Sequence, residues 1–280
     1  MNQSFYPCIW FDGQAKSAAE FYSHIFSDSK VLSHNPIVTM WQLCGQKFMG
    51  LDGGPMFKPN PSISFFVTCE SQEEIDDIWN KLSKDAKIMM ALDKYEWSEY
   101  YGFLEDKFGI SWQIFKGKYS EVNQKIAPCF LFTDKNFGKA NSAIDFYTSV
   151  FNNSTKEGVL FYSESEMQGE NIVKHGQFTL DNYVFMAMDG PGEHHFTFNE
   201  GLSFVIQCDT QEQIDYYWNT FTKDGGQESM CGWCKDKFGV SWQIVPSILG
   251  ELMNNAEKSS RVQAAFLQMK KFDIEKLLNA

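Results

Sequence analysis

One nine-residue stretch occurs twice in this chain. Residues 106–114 read Asp-Lys-Phe-Gly-Ile-Ser-Trp-Gln-Ile and residues 236–244 read Asp-Lys-Phe-Gly-Val-Ser-Trp-Gln-Ile, so only Ile110 and Val240 differ. A near-identity of nine residues at a separation of 130 positions marks an internal duplication, and a repeat of that kind limits the fold more than any local propensity does. Phe-Gly predicts a turn, and the apolar and aromatic run after it predicts a short strand. Side chains alternate along a strand, so Trp112 and Ile114 share one face while Ser111 and Gln113 share the other.

Taken in order, the first copy predicts a strand at Cys8–Phe11 and a helix over 17–26, with Ala18, Phe21, Tyr22, Ile25 and Phe26 on one side and Ser17 with Glu20 as its capping box. Strands are expected at 29–34, 38–43, 46–51 and 63–68. A second helix follows at 71–84, capped by Ser71 and Glu74, and then strands at 87–92, 99–104 and 110–115. The order is β-α-β-β-β, then the same again. The second copy matches it: Pro128-Cys129 with Pro7-Cys8, Phe146-Tyr147 with Phe21-Tyr22, Ser203-Phe204 with Ser64-Phe65, Trp218 with Trp79, and Gly232-Trp233 with Gly102-Phe103. Residues 116–127 read as a polar linker. Beyond Pro246, Val262, Ala265, Phe266 and Met269 fall at the spacing of an amphipathic helix that packs on its own chain or on a partner.

Charge excludes two classes of partner. A net charge of −12 leaves no basic face for nucleic acid and none for an anionic membrane surface. Met1–Ser4 lacks the basic start of a signal region, and no apolar run is long enough to span a bilayer. Seven cysteines, of which Cys8, Cys129, Cys69 and Cys208 sit inside apolar strands, fit small buried hydrophobes in a reducing cytoplasm.

Two modules side by side make a cup, and the Ser/Gln face of the last strand in each copy is expected to line it. Ser111, Gln113, Ser241 and Gln243 are therefore the candidate ligand-binding residues, with Trp41, Phe103 and Trp233 as aromatic wall near the rim. The alternative for the glutamines is satisfaction of a backbone group. Trp112, Trp242, Trp79 and Trp218 read as core. Cys231-Gly-Trp-Cys234 has zinc or redox spacing but lacks a second cysteine pair and is followed by a strand, not a helix. Glu193-His194-His195 lies in a Pro/Gly-rich loop, and His175 opens a strand whose counterpart is Val38. No phosphate loop, dinucleotide fingerprint or nucleophile elbow is present.

Phe-Tyr…Phe on the first helix, Phe-Met-Gly-Leu-Asp-Gly-Gly-Pro at 48–55 and Cys-Gly-Trp-x-x-Asp-Lys-Phe-Gly-Val-Ser-Trp-Gln-Ile-Val-Pro at 231–246 resemble the PhnB-like family. That family is also called 3-demethylubiquinone-9 3-methyltransferase-like, within the glyoxalase/bleomycin-resistance (vicinal oxygen chelate) superfamily. The resemblance implies an α+β fold of two tandem domains at 1–120 and 125–246, each of two βαβββ modules forming a curved mixed sheet. A C-terminal helical extension at 247–280 completes it. It also carries the expectation of a bacterial, cytoplasmic protein. Metal-dependent members place ligands on the first, fourth, fifth and eighth strands, which align with Pro7, Gly50, Ser62 and Gln113, and with Pro128, Ala187, Gly201 and Gln243. Only the glutamines could coordinate, so the usual metal site is expected to be lost and no cofactor is predicted. A divalent metal would need His175, His194, His195 or Asp189 as reserves. No glycine-rich adenosylmethionine loop supports the methyltransferase name.

Three readings follow: a small-molecule binding protein, a metal-assisted lyase, isomerase or oxygenase with ligands at unusual positions, and an interaction protein whose cup no longer works. If a cup assembles between chains, the protein is a homodimer.

Overall fold

The structure, a computed structural model, describes residues 5–167 and 169–280; the reading of Met1–Ser4 lies outside them. Four βαβββ modules follow one another. The first holds β1 (Phe5–Phe11), α1 (Ala15–Ser23), β2 (Lys30–His34), β3 (Val38–Leu43) and β4 (Gln46–Asp52). The second holds β5 (Ile63–Cys69), α2 (Gln72–Leu82), β6 (Lys87–Tyr95), β7 (Ser98–Glu105) and β8 (Ser111–Lys116), with a single helical turn α3 (Tyr119–Val122) after it. The third holds β9 (Ile126–Phe132), α4 (Ala140–Val150), β10 (Thr155–Phe161), β11 (Val173–Leu180) and β12 (Tyr183–Asp189). The fourth holds β13 (Leu202–Cys208), α5 (Gln211–Phe221), β14 (Gln227–Glu228), β15 (Trp233–Lys235) and β16 (Ser241–Pro246), and the tail adds α6 (Leu249–Asn254), α7 (Ser259–Phe266) and α8 (Ile274–Leu278). Among the described residues no helix is long and apolar enough to cross a membrane.

The first helix departs from its expected start. It begins at Ala15, two residues before Ser17, and no side chain of its own caps it. Asp52, at the end of β4, accepts from the Ala15 N–H at 3.0 Å instead, so a residue distant in sequence replaces the local capping box. In α2 the expected cap holds, with Ser71 Oγ accepting from the Glu74 N–H.

The chain divides into two compact units, Ile9–Gly201 and the start of β1 up to Cys8 together with Leu202–Ala280. It contains two mixed eight-stranded sheets. One lies wholly within the larger unit, in the order β10-β11-β12-β9-β5-β8-β7-β6. Its halves come from different repeats: β5–β8 precede the linker and β9–β12 follow it. The antiparallel β5–β9 ladder, from Ile63 opposite Phe130 to Val67 opposite Ile126, joins them. This cup is complete within one chain, so its assembly does not require a second copy. Of the other sheet, the smaller unit holds the run β14-β15-β16-β13 and the larger unit holds the antiparallel β2, β3 and β4.

Alternation decides what each face of the β10-to-β6 sheet meets. Phe65, Trp112, Phe130, Phe178 and Phe185 point to the side where α2 packs on β5 and β8 and α4 packs on β9, β11 and β12. The opposite face carries Phe66, Tyr101, Ala127, Cys129, Val184 and Met186, all buried, and Val122 of the single turn α3 is the helical residue packed with them. His175 on β11 and Phe66 on β5 have two strands between them, yet their rings approach to 5.9 Å, whereas a flat sheet would separate those strands by roughly 14 Å. The face opposite α2 and α4 is therefore concave.

In the smaller unit the tail packs on its own fold. Val262, Phe272 and Leu277 are buried, and Ala265, Phe266 and Met269 are half-buried. The helix ends at Phe266, short of the expected Met269. The carbonyls of the chain beyond it accept from the stretch before β15, Met269 O from the Cys231 N–H and Lys270 O from the Gly232 N–H, both at 2.7 Å.

Candidate functional site

The repeated stretch builds the site from below. Asp106 Oδ1 accepts from the N–H groups of Phe108 and Ile110, and its Oδ2 accepts from Trp112 Nε1 at 2.9 Å and from the Tyr22 hydroxyl at 2.6 Å. Gly109 turns the chain in the left-handed region, at φ +82°, where a side chain is unfavourable. Asp236 repeats this with Phe238, Val240 and Trp242, and Gly239 repeats the turn. The conspicuous Asp-x-x-Gly-x-Ser-Trp spacing is thus a closed hydrogen-bonded loop that sets the direction of β8 and β16. Trp112 is held on the helix side, so Ser111 and Gln113 must face the concave side.

Gln113 is the hub of the cup. Its Oε1 accepts from the Tyr101 hydroxyl at 2.7 Å and its Nε2 donates to Ser64 Oγ at 2.8 Å. Cys129, opposite Ser64 across the β5–β9 ladder, is buried beside both. Burial pushes its thiol up to about 12, against the opposing pull of hydrogen bonding with Gln113 and Ser64. Cys129 Sγ also lies 3.6 Å from Met188 Sδ. Phe103 stands directly opposite Gln113 on β7, and Phe66, Phe115, Met90 and Met186 complete the apolar lining. Above them the β6–β7 turn carries an aromatic group in which Trp97, 55% exposed, stacks on Tyr95 and meets the Tyr101 ring edge-on at 4.5 Å. The Ser111 hydroxyl is buried and has no hydrogen-bond partner.

The smaller unit repeats the base of this arrangement. Gln243 Nε2 donates to Ser203 Oγ at 2.9 Å, and burial pushes the neighbouring Cys8 thiol up to about 12. Ser241 is buried on the same strand, and Trp233 stands opposite Gln243, as Phe103 does opposite Gln113. The wall differs. Between the helix and the repeated Asp, residues 83–105 number 23 in the first copy and residues 222–235 number 14 in the second, a loss of 9. A nine-residue β6 and eight-residue β7 become a two-residue β14 and three-residue β15.

Trp41 requires a correction. It is fully buried under α1 and stacks on Phe48, which meets Phe65 in turn. It belongs to the core because its register places it with Phe48 on the helix side. His194 bonds Pro191 O, and His195 lies 3.9 Å from Glu193 with both of those side chains exposed, and among the described residues no group of three ligating side chains forms there. Asp189 is taken up by the N–H groups of Gly138, Ala140 and Val173, the counterpart of Asp52 capping α1. His175 alone among the histidines lies in the cup. Cys231 and Cys234 are free thiols, the first bonding Phe266 O.

The family model described as 3-demethylubiquinone-9 3-methyltransferase matches residues 3–115 and 124–245. The chain belongs to this family. Both matched regions contain the Asp-Lys-Phe-Gly turn and the glutamine hub. Among solved structures, a putative 3-demethylubiquinone-9 3-methyltransferase, PhnB protein, from Bacillus cereus is 33% identical over 42% of this chain and 100% of its own, with a TM-score of 0.38. A glyoxalase I mutant from Zea mays is 11% identical, covering 87% of this chain and 94% of its own at a TM-score of 0.58, which shows the shared fold. No curated protein matches the chain. The PhnB-like, vicinal oxygen chelate fold is thus the fold of this protein.

The superfamily's metal corner does not fit a hard divalent ion here. Its four strands meet as β12-β9-β5-β8, and the residues turned inward differ from those aligned by sequence. Pro128 pairs with Phe65, and Ala187 with Phe130, so both face the helices. Inward stand Met186 and Met188, Cys129, Ser64 and Gln113: thioethers, a thiol, a hydroxyl and a carboxamide, with no carboxylate among them. Among the described residues no group of three or more His, Cys, Asp or Glu side chains comes together.

Burial holds the His175 imidazole below its ordinary pKa. The folded value lies below the unfolded one, so the stability contributed by neutral His175 is complete above about pH 6.5 and is lost on acidification through the lower folded value. His175→Phe is expected to flatten the fall in melting temperature between about pH 7 and 5. An unchanged profile in that variant would mean that the imidazole titrates freely.

Proposed function

We propose that this PhnB-like protein binds a small organic molecule in the concave face of the β10-to-β6 sheet. The ligand has a flat or apolar body and one group that both donates and accepts hydrogen bonds. The observation that carries this reading is the unused capacity of polar groups inside an apolar cup. Gln113 Oε1 accepts one of two possible bonds, while Nε2 serves Ser64 and the neighbouring Cys129 thiol. The buried Ser111 hydroxyl uses none. A buried polar group without a partner costs roughly 1–3 kcal/mol, and a ligand polar atom arriving there offsets that cost. Phe66, Phe103, Phe115 and the Tyr95–Trp97–Tyr101 group supply the apolar surface.

The shortened wall in the smaller unit concentrates this function in one cup, that of Gln113, while Gln243 keeps a structural bond to Ser203. Seven free thiols suit a reducing cytoplasm.

A thermal-shift screen of small aromatic acids and ketones tests the reading. Hits are expected to raise the melting temperature, with Gln113→Leu weakening them roughly 10- to 100-fold and Gln243→Leu leaving them intact. Full binding by Gln113→Leu, or loss in Gln243→Leu, would place the ligand elsewhere.

A further inference from the structure

The cup holds a second set of atoms that hydrogen bonding to an organic ligand does not use. Cys129 Sγ and Met188 Sδ lie 3.6 Å apart on neighbouring strands. Met186 stands directly opposite Cys129 on β12 and is buried with it. His175 comes from β11, yet its ring lies 5.9 Å from that of Phe66 on β5. To reach there it passes over β12 and β9, the strands that carry Met188 and Cys129. One thiol, two thioethers and one imidazole therefore converge on one stretch of the concave face.

We propose that this stretch is a site for a soft monovalent metal ion, Cu(I), held by Cys129, Met188 and His175 with Met186 beside them. Thioether and thiolate ligands select Cu(I) over hard divalent ions. Charge selects in the same direction. Cys129 binds as the thiolate and releases one proton, so that Cys-SH and Cu⁺ become Cys-S–Cu and H⁺ with no change of oxidation state. The product is electrically neutral. A divalent ion on the same ligands would keep one positive charge among Phe66, Ala127, Val184 and Gln113, none of which can balance it, and an unpaired charge in an apolar site is costly. The inference is independent of the organic ligand: Gln113→Leu removes that ligand's anchor but none of the metal's.

The test is anaerobic titration of the full chain with Cu(I), added as its acetonitrile complex, against the chelator bathocuproine. One ion per chain is expected to resist the chelator. Cys129→Ser and Met188→Leu should each weaken binding at least about 100-fold, whereas Cys44→Ser and Cys231→Ser, the two half-exposed thiols, should leave it unchanged. Met188→Leu conserves volume, so it remains decisive if Cys129→Ser folds poorly. The proposal is overturned if no ion resists the chelator, if Met188→Leu binds as wild type, or if Cys44→Ser or Cys231→Ser removes the ion.

Discussion

Asp106→Ala is expected to lower the unfolding free energy by roughly 3–4 kcal/mol, because it orphans four donors at once. Two of these are the N–H groups of Phe108 and Ile110, and two are side chains that are themselves almost fully buried, Tyr22 and Trp112. Burial raises the carboxyl pKa while the four donors pull it down, so these bonds are what keep the group in place. Asp106→Asn should recover part of the loss. Its oxygen can still accept from the two backbone groups, and the Tyr22 hydroxyl can turn to accept, but Trp112 Nε1–H would face an amide hydrogen. For a unit of this size the alanine variant should melt about 10 °C lower, measured by calorimetry. A shift of only a degree or two would mean that water replaces the carboxylate, which the burial of Tyr22, Ile110 and Trp112 argues against.

The second large effect concerns cutting the chain at the linker. Residues 1–120 alone are expected to give no stable monomer. All seven residues of β5 are buried, and the antiparallel partner that covers one edge of that strand is β9, which lies beyond the cut. The isolated piece would present Ile63–Cys69 as an open apolar edge, a template for pairing with anything similar. Co-expression with 125–280 should restore a soluble one-to-one complex. Size-exclusion chromatography with circular dichroism decides it: a monomeric 1–120 with cooperative unfolding would show that the ladder is dispensable.

Much of this fold could be read before the structure. The repeated nine residues, the β-α-β-β-β order, β3 at 38–43 and the Ser/Gln orientation of β8 all rest on short-range alternation, which the chain carries locally. What could not be read depends on distant partners. Ser17 looked like a cap because capping boxes are local, but Asp52 reached the helix first. Trp41 looked like a rim residue because its strand lies near an edge, yet the register with Phe48 turns it into the core. The cup's Ser64, Tyr101, Cys129 and Met188 were missed for the same reason, since they join Gln113 only when modules from different repeats share a sheet. One signal was available. Cys8 with Cys129 and Ser64 with Ser203 already matched between the copies, and a serine, a glutamine and a cysteine recurring together outline the shared base of both cups.

The division of the chain also sets an order of events during synthesis. Everything in the larger unit lies between Ile9 and Gly201, so all its strands have been made before the smaller unit can begin to close. The smaller unit needs the start of β1, which emerges from the ribosome first, and Leu202–Ala280, which emerges last. Ser203 Oγ bonds Cys8 O across that gap of 195 residues. Phe5–Cys8 must therefore wait for β13, its neighbour from the smaller unit, while the intervening chain folds. Slow translation or early termination should endanger the smaller unit first, leaving the already assembled β10-to-β6 sheet attached to a strand whose β13 edge is open and that chaperones would have to shield.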